Sequence, residues 1–343
     1  MSLSLGVELT KRCNFRCAHC FVDAGRPRAR EASTGELLAL LQEAAPAGVT
    51  SVGWSGGEPL LRKDVEELTA AATALGIQAG IATNGYLASR SRLVALRRAG
   101  LRVIQVSLDG PDPARAQRYR VGPRDAFARA YRAVQESAAL GLQAYVATLL
   151  VPETAGEVEE MVALATGAGA VGLRYATFLP VGRASGAGHD ERAWARREVG
   201  ELLRVVRERG RAPVRVVIDC PAGPLPGMRR FSCGAGRETA YVAADGELYP
   251  CTSLMHPDYR VGNVLERPLG VLLNAGRMFK APRQLAGGEA HGSCARCGFV
   301  VRCRSGCPGR TLAIHGRIRA RGRRLSMPDC LRRLHSKSPE GEP

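Results

Sequence analysis

The hydrophobic pattern of the first half alternates between short apolar runs and helical periodicity. Leu3–Leu9 is an apolar run of strand length. Ser33 or Thr34 then offers an N-cap for a helix carrying Leu37, Leu38, Leu40 and Leu41, with Gly48 after it. Val49–Trp54 reads as a second strand, and Val65, Leu68, Ala72 and Leu75 recur at helical spacing up to Gly76. Ile77–Ala82 precedes a helix around Arg92–Ala99 closed by Gly100, and Arg102–Leu108 precedes one over about Arg124–Leu140 closed by Gly141. Leu142–Val151 is the fifth strand. After it, Thr154-x-x-Glu157 has capping-box spacing ahead of Val158, Met161, Val162 and Ala165. Val171–Leu179 is the sixth strand. Six strand–helix units in series predict an α/β fold with a parallel sheet, and right-handed crossovers let it curl into an open barrel.

The pattern then breaks. Residues 180–190 are rich in glycine and small side chains and read as a linker, followed by an amphipathic helix over about Arg192–Arg209. Beyond Pro213 the chain is loop-rich, weakly periodic and holds eight of the 11 cysteines. Apolar burial alone cannot hold such a segment, so it needs cross-links. The expected organisation is a barrel over 1–185, a linker and bridging helix over 186–212, a cysteine-rich unit over 213–335 and a disordered tail at 336–343.

Composition narrows the class. The chain has 343 residues, 45% apolar and 24% charged, which fits a soluble protein of about two domains. No apolar run approaches the ~20 residues of a membrane span. The N-terminus lacks a basic-then-apolar signal pattern, so a cytoplasmic protein is expected. Eleven cysteines in such a chain point to metal or redox chemistry rather than a disulfide framework. The formal charge is +17, but only four of the 49 basic residues are lysine. An arginine bias of that kind can follow codon usage, so charge alone argues little for a nucleic-acid partner.

The cysteines and loops carry the chemistry. Cys13-x-x-x-Cys17-x-x-Cys20 directly follows the first strand. Three thiolates on one loop can hold a polynuclear centre with one metal left open for a ligand, whereas structural zinc is closed by four. Zinc with a distant fourth ligand, or unrelated buried cysteines, are the other readings of this loop alone. Ser55-Gly56-Gly57-Glu58-Pro59, Thr83-Asn84-Gly85, Ser107-Leu108-Asp109-Gly110 and Phe178-Leu179-Pro180-Val181-Gly182-Arg183 each end a strand. Barrel active sites are built at that edge. In the second half, Cys233 and Cys251 flank Asp245-Gly246, a hairpin-turn dipeptide between Tyr241–Ala243 and Glu247–Tyr249. Cys294-x2-Cys297-x5-Cys303-x3-Cys307 and Cys330 follow. A structural zinc module is the bland reading of such pairs.

The three-cysteine loop followed by Gly-Gly-Glu-Pro resembles the radical S-adenosylmethionine (SAM) superfamily, over roughly residues 1–185. The seven-cysteine string resembles the SPASM extension of those enzymes, over about 213–335. The fold implied is a partial (β/α)6 TIM-like barrel followed by a loop-rich domain. By that resemblance Cys13, Cys17 and Cys20 hold a [4Fe–4S] cluster whose open iron is chelated by SAM. Gly56, Gly57 and Glu58 fix the SAM amino group, and His19 lies beside adenine. Asn84, Ser107 and Asp109 face the ribose or the substrate. Cys233, Cys251 and Cys307 serve one auxiliary [4Fe–4S] cluster, and Cys294, Cys297, Cys303 and Cys330 the other. Cys220, separated from Cys233 by 12 residues, either closes the first auxiliary cluster, the preferred reading, or is a free thiol that leaves an iron open.

The resemblance implies reductive cleavage of SAM to a 5′-deoxyadenosyl radical that takes hydrogen from a substrate. A low-potential donor such as flavodoxin or ferredoxin would supply the electron. The expected substrate is a ribosomally made peptide or protein, modified by cross-linking, epimerisation or oxidation. Only 12 residues precede Cys13, so a separate leader-recognition protein or a short substrate is expected. Thr252 after the hairpin cysteine, where sulfatase-maturing relatives tend to carry an acid, weighs against that activity. Tetrapyrrole side-chain modification is the alternative enzyme reading. A non-enzymatic iron–sulfur carrier or basic nucleic-acid-binding module is the alternative of another class, and the intact Gly56–Glu58 motif argues against it. Tyr119, Tyr175, Arg174 and Asp109 are candidates near the barrel mouth without an assigned catalytic role. Residues 291–335 contain 11 arginines and one acid, which reads as compensation for anionic clusters.

Overall fold

The computed structural model of the chain describes residues 2–25, 30–186, 214–219, 233–280, 290, 294–298, 303, 306–320 and 323–325. Cys220, Cys330, the expected bridging helix and the expected tail lie outside the described residues. The first half builds β1 (Leu3–Thr10), α1 (Thr34–Ala44), β2 (Val49–Gly56), α2 (Val65–Ala74), β3 (Gln78–Thr83) and α3 (Arg90–Arg98). It continues with β4 (Val103–Ser107), α4 (Pro113–Gln117), α5 (Ala126–Ala139), β5 (Gln143–Leu150), α6 (Pro152–Gly156), α7 (Val158–Gly167) and β6 (Gly172–Thr177). The second half adds β7 (Arg215–Asp219), β8 (Thr239–Val242), β9 (Glu247–Tyr249), β10 (Gly262–Asn263), α8 (Leu269–Leu273) and α9 (Pro308–His315). Strands β1 to β7 pair in sequence order, all parallel, as the serial strand–helix pattern predicts.

Alternation within β1 explains its double burial. Leu5, Val7 and Leu9 pack with Leu37, Leu40 and Leu41 of α1 in one core, while Glu8 and Thr10 are buried on the other face. Burying each such leucine contributes roughly 1.5–3 kcal/mol. Ser33 is the N-cap of α1, and its partnership with Glu36 is reciprocal: Glu36 N–H donates to Ser33 Oγ at 3.3 Å and Ser33 N–H to Glu36 Oε2 at 2.9 Å. Trp54 is core, its Nε1–H donating to Thr69 Oγ1 at 3.0 Å.

Three features differ from the sequence reading. The Thr154–Glu157 capping box does not form. Thr154 lies inside α6, its hydroxyl accepting from Val151 N–H at 3.1 Å, and Glu157 is a side-chain-free cap of α7. The short α4 interrupts the connection after β4, opened by Pro113 behind an Asp112 cap. The loop-rich stretch beyond Pro213 opens with a strand the periodicity does not show: the β-branched run Val216–Ile218 forms β7 against β6.

The cysteine-rich half is joined to the barrel by backbone. β8 pairs parallel with β1, from Ser4 opposite Thr239 to Val7 opposite Val242, and β9 and β10 extend that edge. The Asp245-Gly246 hairpin forms as predicted. Asn263 fastens it, donating from Nδ2 to the Asp245 carbonyl at 2.9 Å. No helix among the described residues is long and apolar enough to cross a membrane.

A polar knot holds the start of α2 against the root of β1. Arg62 donates from Nε to Asp64 Oδ1 at 2.8 Å and from Nη1 to the carbonyls of Leu9 and Ala32 at 3.1 and 2.8 Å. Thr34 Oγ1 donates to Asp64 Oδ2 at 2.7 Å. The hydrogen bonds from Arg62 hold the Asp64 carboxyl down at about 2, against the opposing effect of burial. A folded-state pKa below the unfolded one stabilises fully above about pH 4, and the gain fades as pH falls toward 2. Asp64→Asn is therefore expected to cost ~1–2 kcal/mol at pH 7, discounted for partial exposure. Anaerobic urea unfolding followed by far-UV circular dichroism checks it; an unchanged midpoint would contradict it.

Candidate active site

The cysteine loop leaves β1 at Thr10 and is held by four backbone hydrogen bonds, two of them to the 119–121 segment. Arg16 N–H donates to the Val121 carbonyl at 2.8 Å, and Ala18 N–H to the Tyr119 carbonyl at 3.1 Å. Gly25 N–H donates to the Lys11 carbonyl at 2.7 Å, and Arg183 N–H to the Cys20 carbonyl at 3.0 Å. Within this frame each sulfur accepts from nitrogen: Cys13 from Phe15 N–H at 3.4 Å, Cys20 from Ala24 N–H at 3.3 Å, and Cys17 from Arg120 Nη1 at 3.7 Å. Such donors favour thiolate charge.

Burial acts in the other direction on the free thiols. It pushes Cys13 up to about 11, and neighbouring Glu58, Cys17 and Cys20 add to the rise. It raises Cys17 as well, while Arg120 pulls it back. A metal centre binds thiolates, so it must overcome this effect of burial at Cys13 and Cys17.

Gly56 and Gly57 make the loop's close approach to β2 possible. Gly56 has φ +130°, and a Cβ on Gly57 would stand 2.1 Å from the Arg12 carbonyl oxygen. Gly57 and Glu58 instead donate their backbone N–H groups to the Thr10 and Arg12 carbonyls at 2.7 and 2.8 Å. The Glu58 carboxylate turns away from the cavity and is fully buried. It accepts from Thr83 Oγ1 at 2.7 Å, Asn84 N–H at 2.8 Å and Leu60 N–H at 3.0 Å. Burial raises its pKa against those three hydrogen bonds. Two motifs that look separate in sequence, Gly-Gly-Glu-Pro and Thr-Asn-Gly, are one hydrogen-bonded unit.

Asp109 is likewise an anchor behind the wall. Its Oδ1 accepts from Leu149 N–H at 2.7 Å, and its Oδ2 lies 2.6 Å from Arg120 Nε and 3.5 Å from His19 Nε2. Burial opposes the Arg120 charge, yet Asp109 and the thiols of the cysteine loop hold its pKa above the usual value. His19 packs edge-on to Tyr119 at 6.3 Å. Tyr119 donates its hydroxyl to Glu153 at 3.0 Å, and Tyr175 is a core residue whose hydroxyl donates to the Thr154 carbonyl at 3.2 Å. Arg174 stacks on Tyr145 at 5.8 Å.

These elements enclose a cavity of about 410 Å³. Cys13, Cys17, His19, Cys20, Gly56, Gly57, Asn84 and Ser107 line it; Glu58 and Asp109 do not. Tyr241, Thr252, Ser253, Cys307 and Arg310 of the cysteine-rich half complete the wall. Sequence reading missed Arg120, Tyr241 and Arg310, and gave Arg183 no role. Arg183 clamps the loop through Nε to the Cys17 carbonyl at 3.0 Å and through Nη1 to Asp23 at 3.2 Å.

Seven cysteines are expected at the auxiliary centres besides Cys220, and six of them are described. Cys233, Cys251 and Cys307 are close enough to raise one another: burial pushes Cys233 up to about 12, and Cys307 and Cys251 add to it. Burial is also the main cause of the rise at Cys251, followed by Cys307. Cys294 and Cys297 share a turn, Cys297 N–H donating to the Cys294 carbonyl at 3.2 Å, and Cys303 is buried. Nine of the cysteines are described, and none of them forms a disulfide. Among the described residues no three His, Cys, Asp or Glu side chains converge on a site for a single metal ion. The grouped thiols and the N–H donors aimed at Cys13, Cys17 and Cys20 fit iron–sulfur clusters.

Comparison with known proteins agrees with this geometry. The sequence profile of the radical SAM superfamily matches residues 7–165, and that of an iron–sulfur cluster-binding domain, SPASM, matches residues 233–298. The chain is 31% identical over 345 residues to the PqqA peptide cyclase of Methylobacterium sp. (strain 4-46), covering 98% of this chain and 88% of the relative. It is 29% identical over 306 residues to the mycofactocin maturase MftC of Mycolicibacterium smegmatis, covering 88% and 76%. It is 26% identical to an AdoMet-dependent heme synthase of Nitratidesulfovibrio vulgaris over 90% of this chain and 88% of that one. Streptococcus suis SuiB bound to S-adenosylmethionine has the same fold, with a TM-score of 0.76 at 19% identity, covering 96% of this chain and 77% of that one.

Proposed function

This chain belongs to the radical SAM superfamily and carries a SPASM iron–sulfur domain, and we propose that it is a maturase that modifies a ribosomally made peptide or protein. Similarity to a PqqA peptide cyclase and a mycofactocin maturase over most of the chain supports this reading. The observation that carries it is the composite cavity. The cysteine loop and an auxiliary cysteine, Cys307, open onto the same space, so a substrate there would lie against both sets of cysteines. When bound, the cluster and SAM together supply a 5′-deoxyadenosyl radical able to take hydrogen from an unactivated carbon.

The chain's own residues would prepare that chemistry. Cys13, Cys17 and Cys20 would hold the SAM-binding cluster. Gly56 and Gly57, Asn84, Ser107 and His19 would shape the SAM side of the cavity. Glu58 and Asp109 would act one layer back, by fixing Thr83–Asn84 and the His19–Arg120 pair. Cys233, Cys251 and Cys307 would serve one auxiliary cluster; Cys294, Cys297 and Cys303, with Cys330, would serve the other, and Cys220 would close the first. Residues 1–185 and 213–335 would be the two working units. A flavodoxin or ferredoxin would supply the electron, a separate protein would present the leader of a long substrate, and the cytoplasm would supply the reducing setting the thiols need.

The test is anaerobic incubation of the cluster-loaded protein with dithionite, SAM and each short peptide encoded beside its gene. Release of 5′-deoxyadenosine, with a matching mass change in one peptide, is the expected result. Deoxyadenosine release with modification of a haem precursor, and of no peptide, would favour the tetrapyrrole reading; the arginine-lined cavity and the 26% identity to a heme synthase are what favour it now. No deoxyadenosine under any condition would contradict both.

A further inference from the structure

An ion pair is built against the cysteine loop. The 119–121 segment runs alongside the loop, with Arg16 N–H donating to the Val121 carbonyl at 2.8 Å and Ala18 N–H to the Tyr119 carbonyl at 3.1 Å. The two bonds bracket Cys17 on one side and Arg120 on the other, so backbone register sets the guanidinium beside that thiol. Arg120 Nη1 stands 3.7 Å from Cys17 Sγ, and Arg120 Nε stands 2.6 Å from Asp109 Oδ2. Asp109 is itself locked: it is 0% exposed, and its Oδ1 accepts from Leu149 N–H at 2.7 Å.

The three sulfurs are therefore not equivalent. Cys13 and Cys20 accept from the backbone N–H groups of Phe15 and Ala24, whereas Cys17 accepts from a full positive charge. The field at Cys17 is a balance of one guanidinium in contact and one carboxylate behind it. Burial raises the Cys17 thiol, but Arg120 lowers it by more than Asp109 raises it, and Arg183 adds a weaker pull in the same direction. The cation thus prevails over its own counter-ion at the sulfur. A charge-assisted hydrogen bond of this kind is roughly twice as strong as a neutral one.

One-electron reduction of an iron–sulfur centre adds one negative charge and makes or breaks no bond. A cation held at a ligand sulfur stabilises the reduced form, and hydrogen bonds to the sulfurs are among the features that set such potentials. We propose that Arg120 raises the reduction potential of the cluster held by Cys13, Cys17 and Cys20, and that the Asp109 carboxylate limits the rise. The pair would then set how strong an electron donor the enzyme requires. Arg120 and Asp109 act here through Cys17 Sγ, as positioning residues. This role rests on the ligand set proposed above.

The cluster-loaded full chain is titrated anaerobically with dithionite and redox mediators, without SAM, and frozen samples are read by electron paramagnetic resonance. The reduced signal that changes shape when SAM is added reports on the loop cluster. Arg120→Gln is expected to make reduction about tenfold less favourable, a potential ~59 mV lower. Arg120→Lys keeps the charge without the planar fork and is expected to fall in between. Asp109→Asn keeps an oxygen for Leu149 N–H and is expected to move the potential the opposite way, upward. A merely structural disturbance would not give opposite signs from the two members of one pair. An unmoved or raised potential in Arg120→Gln overturns the proposal. Where that variant loads no iron in the loop, Asp109→Asn decides, and a potential unmoved or lowered overturns it. Persistence of the SAM-responsive signal in Cys17→Ala overturns the ligand set and this role with it. Loss of that signal in Cys17→Ala, with the potential unmoved in Arg120→Gln, overturns the role of Arg120 alone.

Discussion

Cys17→Ala is expected to release no 5′-deoxyadenosine above background when reconstituted with iron and sulfide and supplied with dithionite and SAM. It is also expected to bind about four fewer iron atoms per chain, one [4Fe–4S] complement. Cys17 is the most buried thiol of its loop, 8% exposed, and the only one that accepts from a side-chain cation, Arg120. Its removal leaves the Arg120 guanidinium facing two remaining thiols across a wall where burial already works against the charge. The loop itself is held by backbone hydrogen bonds that do not involve Cys17 Sγ, so the fold and the auxiliary iron are expected to survive. Circular dichroism and the residual iron–sulfur absorbance report on that directly. Deoxyadenosine at the wild-type rate from Cys17→Ala would overturn the ligand assignment.

The second large effect is uncoupling. Cys307→Ala is expected to keep cleaving SAM while product on the peptide falls to background. Cys307 lies with Cys233 and Cys251 and reaches the common cavity, whereas the three loop cysteines stand on β1's side. If the three form one centre, Cys251→Ala costs the same iron complement, and the Cys251/Cys307 double variant loses no more than either single variant. Residues acting as one unit are non-additive in this way. Cys294→Ala added to Cys307→Ala is expected to lose a second complement. Iron counts and Mössbauer spectra give the answer, and an additive loss in the Cys251/Cys307 pair would break the assigned grouping.

Much of this was legible in the chain, and the limits have physical causes. Cysteine spacing and strand-end motifs are local, so sequence carries them: the loop after β1, the hairpin and the parallel order all appear where the pattern places them. Side-chain direction is not local. The sequence puts Glu58 and Asp109 among cavity residues, but both point into the layer behind, where other strand ends supply their donors. Arg120, Tyr241 and Arg310 reach the site only through folding, from three distant segments with no shared motif. Thr154 shows the same limit at short range. Its spacing to Glu157 fits a cap, but a proline at 152 starts the helix earlier and turns the hydroxyl onto the Leu149 carbonyl at the end of β5.

The parallel ladder between β1 and β8 makes inter-centre spacing a matter of strand register. Cys13 follows directly on β1, and Cys251 follows on the hairpin that β8 begins. A shift by one residue in this pairing would displace one centre against the other by roughly 3.3 Å and turn every β8 side chain to the opposite face. Electron transfer by tunnelling falls steeply with distance. The ladder therefore works as a ruler between the cysteine loop that follows β1 and the hairpin that β8 begins.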